Sequence, residues 1–464
     1  MFDLERVARI TAGEISGKKR NCPLSGISTD SRNMTPGALF IPLRGEHFDG
    51  HDYLGQAVKN GAAACLSEEV IEGLSVPVVR VANTLRALGD LAAAWRLQLK
   101  GPLVAVTGSV GKTTTKEMLA SILELVGPGL KTAGNFNNLI GLPLTLFRLK
   151  PEHQWAVLEM GSSALGEIER LTEIAAPTVG VITNIGPAHL ETLHGLDGVS
   201  RAKGELFAGL HGGTAIINLD DKRVASLPVA NGVAKFAYGK SAEAQVRAGV
   251  VRTATNSVSF DLLYQQQRAT VRLQTPGQHN VFNALAAAAA ALVLDVPLDK
   301  VVAGLKNFVP IQGRMNFFPL PCGGILLDDS YNSNPLSVTA ALDALAGLKG
   351  QGRRVAVLGD MLELGEEAAQ LHQQVGGRAA EVADLLIAVG DFAKDVCRGA
   401  AAAGMPVEKL VVVADAEQAA EYLHEKQRSG DRILVKGSRG VKLDRLADAL
   451  RAASEELPNG QQGG

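Results

Sequence analysis

What the chain lacks narrows it first. It has 4 cysteines in 464 residues, at Cys22, Cys65, Cys322 and Cys397, with no C-x-x-C pair. A disulfide framework or a zinc ribbon needs clustered thiols, so these read as reduced, mostly buried side chains. It has no excess of positive charge: 46 Lys and Arg against 48 Asp and Glu leave a formal net charge of −2. Nucleic acid is therefore not an expected partner. It has no long apolar run. The longest, residues 284–294, is mostly alanine and falls far short of the ~20 residues that cross a bilayer. That run reads as a buried helix, and no membrane span is expected. Residues 1–13 hold no apolar stretch of the secretory kind, which makes the cytoplasm the expected compartment. There is no internal repeat.

What is present supports several cores. Hydrophobic residues make up 46% and charged residues 20% of a chain too long for a single core; at ~100 to 200 residues per domain, three domains are expected. The organising stretch is residues 104–116, V-A-V-T-G-S-V-G-K-T-T-T-K. An apolar β-type run feeds a glycine turn, and a helix-forming segment follows. Gly108 and Gly111 let backbone N–H groups close around an anion, Lys112 adds a point charge, and the Thr113 hydroxyl is placed to ligate Mg²⁺ at a helix N-terminus. Where the common phosphate loop has its first glycine this chain has Val106, so the loop is the shorter G-x-x-G-K-T. Thr107, Gly108, Ser109, Val110, Gly111, Lys112, Thr113 and Thr114 are the expected nucleotide-binding residues.

The expected fold class is α/β throughout. Residues 1–98 form a small α/β domain with two polar loops, T-D-S-R at 29–32 and G-E-H-F-D-G-H at 45–51. Residues 99–310 form a central, mainly parallel sheet of the P-loop ATPase type, with strands at 103–106, 155–159, 179–184 and 215–218. Segments 233–238, 257–264 and 270–274 look like an antiparallel addition turning at Gln265, Gln266 and Gln267. Residues 311–456 form a second, Rossmann-like doubly wound unit without a G-x-G-x-x-G, and the tail at 457–464 is expected to be disordered.

In a parallel sheet, ligands sit beyond the carboxyl ends of strands. Glu159 and His189 lie there and are candidate Mg²⁺ ligands; a solvated strand-end carboxylate and a structural histidine are the plain alternatives. Lys203, in R-A-K-G-E-L-F near a helix start, reads from pattern alone as an exposed lysine. Asn283 is either an adenine-reading amide or a helix cap. Arg314 follows Gly313 at the domain junction, where it either meets phosphate or bridges to a carboxylate. Asp329 ends a strand where a ribose hydroxyl could be accepted.

Together with G-N-F-N-N-L-I-G-L-P-L-T, D-D-S-Y-N-S-N-P and V-L-G-D-M-L-E-L-G, these stretches resemble the Mur ligases over nearly the whole chain. The D-N-P-R motif of the meso-diaminopimelate-adding members is absent, which points to the dipeptide-adding branch. The segments S-S-A-L-G-E-I and A-H-L-E-T-L-H-G depart from that branch's usual pattern.

The resemblance implies ATP-dependent joining of D-alanyl-D-alanine to UDP-N-acetylmuramoyl-tripeptide through an acyl phosphate, with the protein acting as a monomer. It implies that Lys112 holds the β- and γ-phosphates and that Thr113, Glu159 and His189 ligate Mg²⁺. Lys203 would be carbamylated and join the metal ligands. Asn283 would face adenine, Arg314 the phosphates and Asp329 the ribose. The UDP-linked substrate would meet Ser28, Thr29, Asp30, Ser31, Arg32, Gly45, Glu46, Phe48, Asp49 and His51, together with Asn135, Asn137 and Asn138. Tyr331 and Asn332 would lie on the dipeptide side. Lys436, in V-K-G-S-R-G, is left between a substrate carboxylate contact and a surface loop. Rival readings are another carboxylate–amine ligase of the superfamily, adding a single amino acid or extending folate with glutamate, and a nucleotide-binding relative without turnover.

Overall fold

Runs of branched aliphatic residues alternate with helix-forming segments, and in the computed structural model they build three sheets in chain order. The structure describes residues 2–17, 22–254, 256–321 and 323–455; Cys322 and the tail at 457–464 lie outside the described residues. The first sheet has strands β1 (Glu14–Ser16), β2 (Ile27–Ser28), β3 (Leu39–Phe40), β4 (Ala64–Ser67) and β5 (Val78–Arg80), in the order β1-β5-β4-β3-β2. All its pairs are parallel except β1 with β5.

The second sheet holds β6 (Leu103–Thr107), β7 (Gly129–Lys131), β8 (Trp155–Glu159), β9 (Val179–Ile182), β10 (Thr214–Asn218), β11 (Ala234–Gly239), β12 (Val246–Ala254), β13 (Ser257–Tyr264) and β14 (Gln267–Leu273). Its order is β14-β13-β12-β11-β10-β9-β6-β8-β7. Side chains alternate across it as the pleat requires. Val104 and Val106 face the core shared with helices Lys112–Leu123 and Gln278–Val293, while Leu103 and Ala105 face the core shared with Glu167–Ala175 and Leu196–Ala208. Helices cover both faces, which is why β6, β8 and β9 are buried at every residue. The alanine run lies in helix Gln278–Val293, with Ala284 to Ala291 fully buried, as expected.

One assignment is corrected. The segment at 233–238 belongs to β11, which pairs parallel with β10 and does not start the antiparallel addition. The chain reaches it through a crossover containing the short helix Lys222–Ser226, and a crossover returns a strand in the same direction. The direction changes one strand later, between β12 and β13. Strand β12 was not anticipated: it is half exposed and shifts register between Ala248 and Val251, which spoils the alternation that would betray it. The turn is tighter than three glutamines: Tyr264 pairs with Gln267, leaving Gln265 and Gln266 as a two-residue hairpin loop, with Gln265 at φ +52°.

The third sheet holds β15 (Asn316–Pro319), β16 (Ile325–Asp328), β17 (Arg354–Gly359), β18 (Leu385–Val389), β19 (Leu410–Val413) and β20 (Arg432–Lys436), in the order β15-β16-β20-β17-β18-β19. Only β15 runs antiparallel to its neighbour. The free thiols of Cys65 and Cys397 are buried, as expected; burial pushes Cys65 up to about 12.

Named side chains hold the domains together. Arg96, 8% exposed at the end of helix Thr84–Arg96, donates to the carbonyl oxygens of Ala175 (2.6 Å), Leu99 (3.2 Å) and Ala176 (3.2 Å). It thereby ties the first domain to the carboxyl end of helix Glu167–Ala175. On the other side, the Glu191 N–H donates to the Glu363 carbonyl (3.3 Å), and the His189 ring lies against the Glu363 carboxylate.

Candidate active site

The phosphate loop is built where β6 ends. Its glycines are required by space and by backbone: Gly108 has φ +143° and a Cβ there would lie 2.0 Å from Thr183 Oγ1, while Gly111 has φ +85° and a Cβ would lie 2.2 Å from Asn283 Oδ1. The segment after β9 holds the loop's shape. Thr183 Oγ1 donates to the Val110 carbonyl (2.6 Å), Asn184 both accepts from Val110 N–H (2.9 Å) and donates to its carbonyl (2.8 Å), and Ser109 Oγ exchanges hydrogen bonds with Gly186 (2.9 Å each way). Thr107 anchors the other side, its hydroxyl donating to the Met160 carbonyl (2.7 Å). We expect Gly108→Ala to weaken ADP binding by roughly 10- to 100-fold, the equivalent of the strain it imposes. Titration calorimetry checks this, and unchanged affinity would remove the loop's shape from the argument.

Lys112 folds over its own loop, Nζ donating to the carbonyls of Gly108 (2.7 Å) and Ser109 (3.4 Å). Its buried position draws its pKa below the ordinary lysine value; the Glu159 charge opposes this and Arg314 adds to it. Glu159, 3% exposed, accepts from Asn137 Nδ2 through Oε1 (2.8 Å), while its Oε2 is buried without a hydrogen-bond partner. A buried carboxylate oxygen without a donor, in a cleft shared with the Thr113 hydroxyl, suits a hard cation. No group of three or more His, Cys, Asp or Glu that could hold a metal ion occurs among the described residues. His189, at φ +54°, precedes the short helix Leu190–Leu193 and lines the same cleft.

Lys203 is neither at a helix start nor on the surface. It sits within helix Leu196–Ala208, 1% exposed, and Nζ donates to Ser162 Oγ (2.9 Å). Burial, helped by the nearby Lys112 charge, draws its pKa down to about 7. The sequence pattern missed this because the helix turns that lysine inward against the segment after β8.

The cleft encloses about 530 Å³ between the central and C-terminal domains; Asn283 lines it beside the loop, and Arg314, Asp329, Tyr331 and Asn332 line it from the C-terminal side. Asn283 is not the cap of its helix, which is Gly277; its Nδ2 donates to Asn280 Oδ1 (3.1 Å). Arg314 has no carboxylate partner among the described residues and lies over the Tyr331 ring, 4.3 Å from its centroid. Asp329 is engaged twice: Oδ1 accepts from Met315 N–H (3.1 Å) and Oδ2 from Lys436 Nζ (2.5 Å). Lys436, 2% exposed, therefore belongs to no surface loop. Asn135, Asn137 and Asn138 also line the cleft, although Asn138 Oδ1 is occupied by the N–H groups of Ile140 (3.2 Å) and Gly141 (2.8 Å).

The N-terminal candidates do not line this cleft. Ser28 ends β2 and Thr29, Asp30, Ser31 and Arg32 follow it, while Gly45, Glu46, Phe48 and Asp49 lie in the loop after β3 and His51 in the short 3-10 helix Gly50–Tyr53 that follows. Asp30 pairs with Arg32 Nε (2.9 Å). His51 Nε2 accepts from Glu68 N–H (3.1 Å), which leaves Nδ1–H to donate to Asp49 Oδ1 (2.6 Å). Hydrogen bonds, first from the His51 N–H, hold Asp49 down at about 2. Phe48 is left 60% exposed within this ordered frame. Among the cleft residues given no role from sequence are Ser162, Glu363 and Arg439. Each was inside a quoted motif, but nothing in the motif distinguishes a side chain turned into the cleft from one turned away.

A phosphate loop on a parallel sheet, an unpartnered carboxylate oxygen beside it and a third domain closing the cleft define a nucleotide-using enzyme of three domains. The comparisons carry this further. Residues 23–96 match "Mur ligase family, catalytic domain", residues 106–291 match "Mur ligase middle domain", and residues 313–439 match "Mur ligase, glutamate ligase domain". UDP-N-acetylmuramoyl-tripeptide--D-alanyl-D-alanine ligase of Escherichia coli (strain K12) is 38% identical over 97% of this chain and 98% of its own. The crystal structure of MurF from Acinetobacter baumannii superposes with a TM-score of 0.90 at 35% identity, covering 97% of this chain and 99% of that one. MurF ligase from Thermotoga maritima, in complex with ADP, gives 0.83 at 28% identity, covering 93% and 98%. The chain belongs to the Mur ligase family.

Proposed function

We propose that this protein joins D-alanyl-D-alanine to the terminal carboxylate of UDP-N-acetylmuramoyl-tripeptide, splitting ATP to ADP and phosphate, as a step of peptidoglycan precursor synthesis in the cytoplasm. The observation that carries this is the convergence of Lys112 and the unpartnered Glu159 oxygen on one cleft, with buried Lys203 held behind it on Ser162, in a chain similar end to end to ligases of that name. The substrate carboxylate attacks the γ-phosphorus, the β–γ bridging bond breaks, and ADP leaves. The amine of the dipeptide then attacks the acyl phosphate carbon, loses a proton, and phosphate departs to leave an amide.

Lys112 offsets the charge that gathers on the transferring phosphoryl group. Arg314 meets phosphate oxygens, Asn283 the adenine and Asp329 the ribose. Thr113, Glu159 and His189, with Lys203 if it carries a carbamate, would hold Mg²⁺, which when bound lowers the repulsion between carboxylate and ATP. The N-terminal loops grip the UDP end, with exposed Phe48 as an apolar contact. Burial of the cleft between domains keeps water from the acyl phosphate.

Phosphate release from ATP tests this reading. Release that requires both UDP-N-acetylmuramoyl-tripeptide and D-alanyl-D-alanine, with a product heavier by one dipeptide less water, is the expected result. Dipeptide-independent release, or product only with a single amino acid, would move the protein to another branch of the family.

A further inference from the structure

The incoming dipeptide carries its own negative charge. Its amine must reach the acyl phosphate near Lys112, while its carboxylate ends up roughly 7 Å away along two extended residues. A carboxylate enclosed in a cleft needs a cation with hydrogen-bond donors. The side-chain cations of the cleft are few, and most have other work. Lys112 belongs to the phosphate loop. Lys436 is neutralised by Asp329 (2.5 Å) and also donates to the Asn332 carbonyl (2.9 Å). Arg314 lies close enough to the loop for its charge to bear on Lys112.

Arg439 remains. It follows β20, lines the same cleft, stays exposed, and has no carboxylate partner among the described residues. Its guanidinium lies 5.6 Å from the centroid of the Tyr331 ring, the ring that also carries Arg314 at 4.3 Å. Two guanidinium groups on one aromatic ring, neither matched by a carboxylate, make a cleft wall prepared for two anions. Arg314 lies nearer the ring and bears on Lys112, which assigns it to the phosphates, and Arg439 is left for the second anion. Its segment is fixed from behind: Ser438 Oγ accepts from Leu362 N–H (3.0 Å) and donates to the Ser333 carbonyl (3.4 Å).

We infer that Arg439 is the residue that receives the terminal carboxylate of the incoming dipeptide, with Tyr331 holding its guanidinium plane in place. The inference rests on the ligase reading above. A guanidinium–carboxylate pair in a partly enclosed site is a charge-assisted interaction, and its loss costs roughly 10- to 100-fold in kcat/KM.

The test compares D-alanyl-D-alanine with its C-terminal amide, using the full chain and saturating ATP and UDP-N-acetylmuramoyl-tripeptide. Wild type is expected to prefer the carboxylate by about 10-fold or more. Arg439→Ala is expected to raise KM for the dipeptide by a similar factor, to leave KM for ATP within about twofold, and to lose the preference over the amide; Arg439→Lys keeps part of it. A wild type indifferent to the amide, or an Arg439→Ala variant that keeps the full preference, overturns the assignment. A wild type that forms no dipeptide product at all defeats the ligase reading, and this assignment with it.

Discussion

Lys112→Ala is expected to lower ATP-dependent product formation on the order of 10³-fold while leaving the fold intact. The magnitude follows from charge: a cation about 4 Å from a developing negative charge is worth about 4 kcal/mol at an effective dielectric constant near 20, which corresponds to about 10³ in rate. Nothing else in the loop can replace it. Arg314 approaches from the opposite wall, stacked on Tyr331, and Thr113 offers no charge. The same substitution does not endanger the fold, because Lys112 makes hydrogen bonds only to its own loop and its burial disfavours the charged amine. The thermal midpoint without ligand should stay level or rise. Single-turnover phosphate release with the variant provides the check; a rate within about tenfold of wild type would mean that phosphate charge is offset elsewhere.

Most of the architecture could be read because long-range order repeats in short-range pattern. Strands β6 and β8 are apolar runs closed by one polar residue and buried on both faces, and their bounds were readable to within a residue. Strand β15 was missed for the opposite reason: N-F-F-P at a sheet edge, half exposed and ending in proline, looks like part of the junction loop. The parallel course of β11 was misread because a strand's own residues do not state its direction; the connection does.

The site divides in the same way. Gly108, Gly111 and Lys112 were legible since their spacing has a mechanical reason visible in a line of text. Lys203 was not, because burial is a property of the helix face it occupies and of Ser162, 41 residues away in the chain. The Lys436–Asp329 pair spans 107 residues, so whether Lys436 was free for substrate could only be decided in three dimensions. Two histidines show the limit from the other side. His51 is fixed between Asp49 and Glu68, and His189 lies against Glu363 in another domain; nothing in either local stretch of sequence tells the two environments apart.

Lys203 carries the second large expectation: Lys203→Met removes most ligase activity, added bicarbonate does not restore it, and stability does not fall. An ordinary lysine with a pKa near 10.4 is neutral in roughly 1 molecule in 2,500 at pH 7, whereas Lys203, drawn down to about 7, is neutral in about half. Only the neutral amine captures CO₂, releasing a proton and leaving an anion with two hard oxygens, so burial raises the reactive fraction by about 10³. The sign with pH follows. Below about 7 the amine binds a proton, so activity at limiting CO₂ should fall as pH drops through that value.

Stability moves the same way. Between about 7 and the ordinary lysine range the unfolded chain binds more protons than the folded one, so stability rises with pH across that window, and the cost of the buried charge is present in full below it. Methionine fills the same space without that charge, so Lys203→Met should be at least as stable as wild type at pH 6, whereas Lys203→Ala would add a cavity and confuse the comparison. Carbon-13 bicarbonate supplies the direct observation. A carbamate resonance is expected in wild type and absent in Lys203→Met; equal activity of the two proteins would take the lysine out of the mechanism.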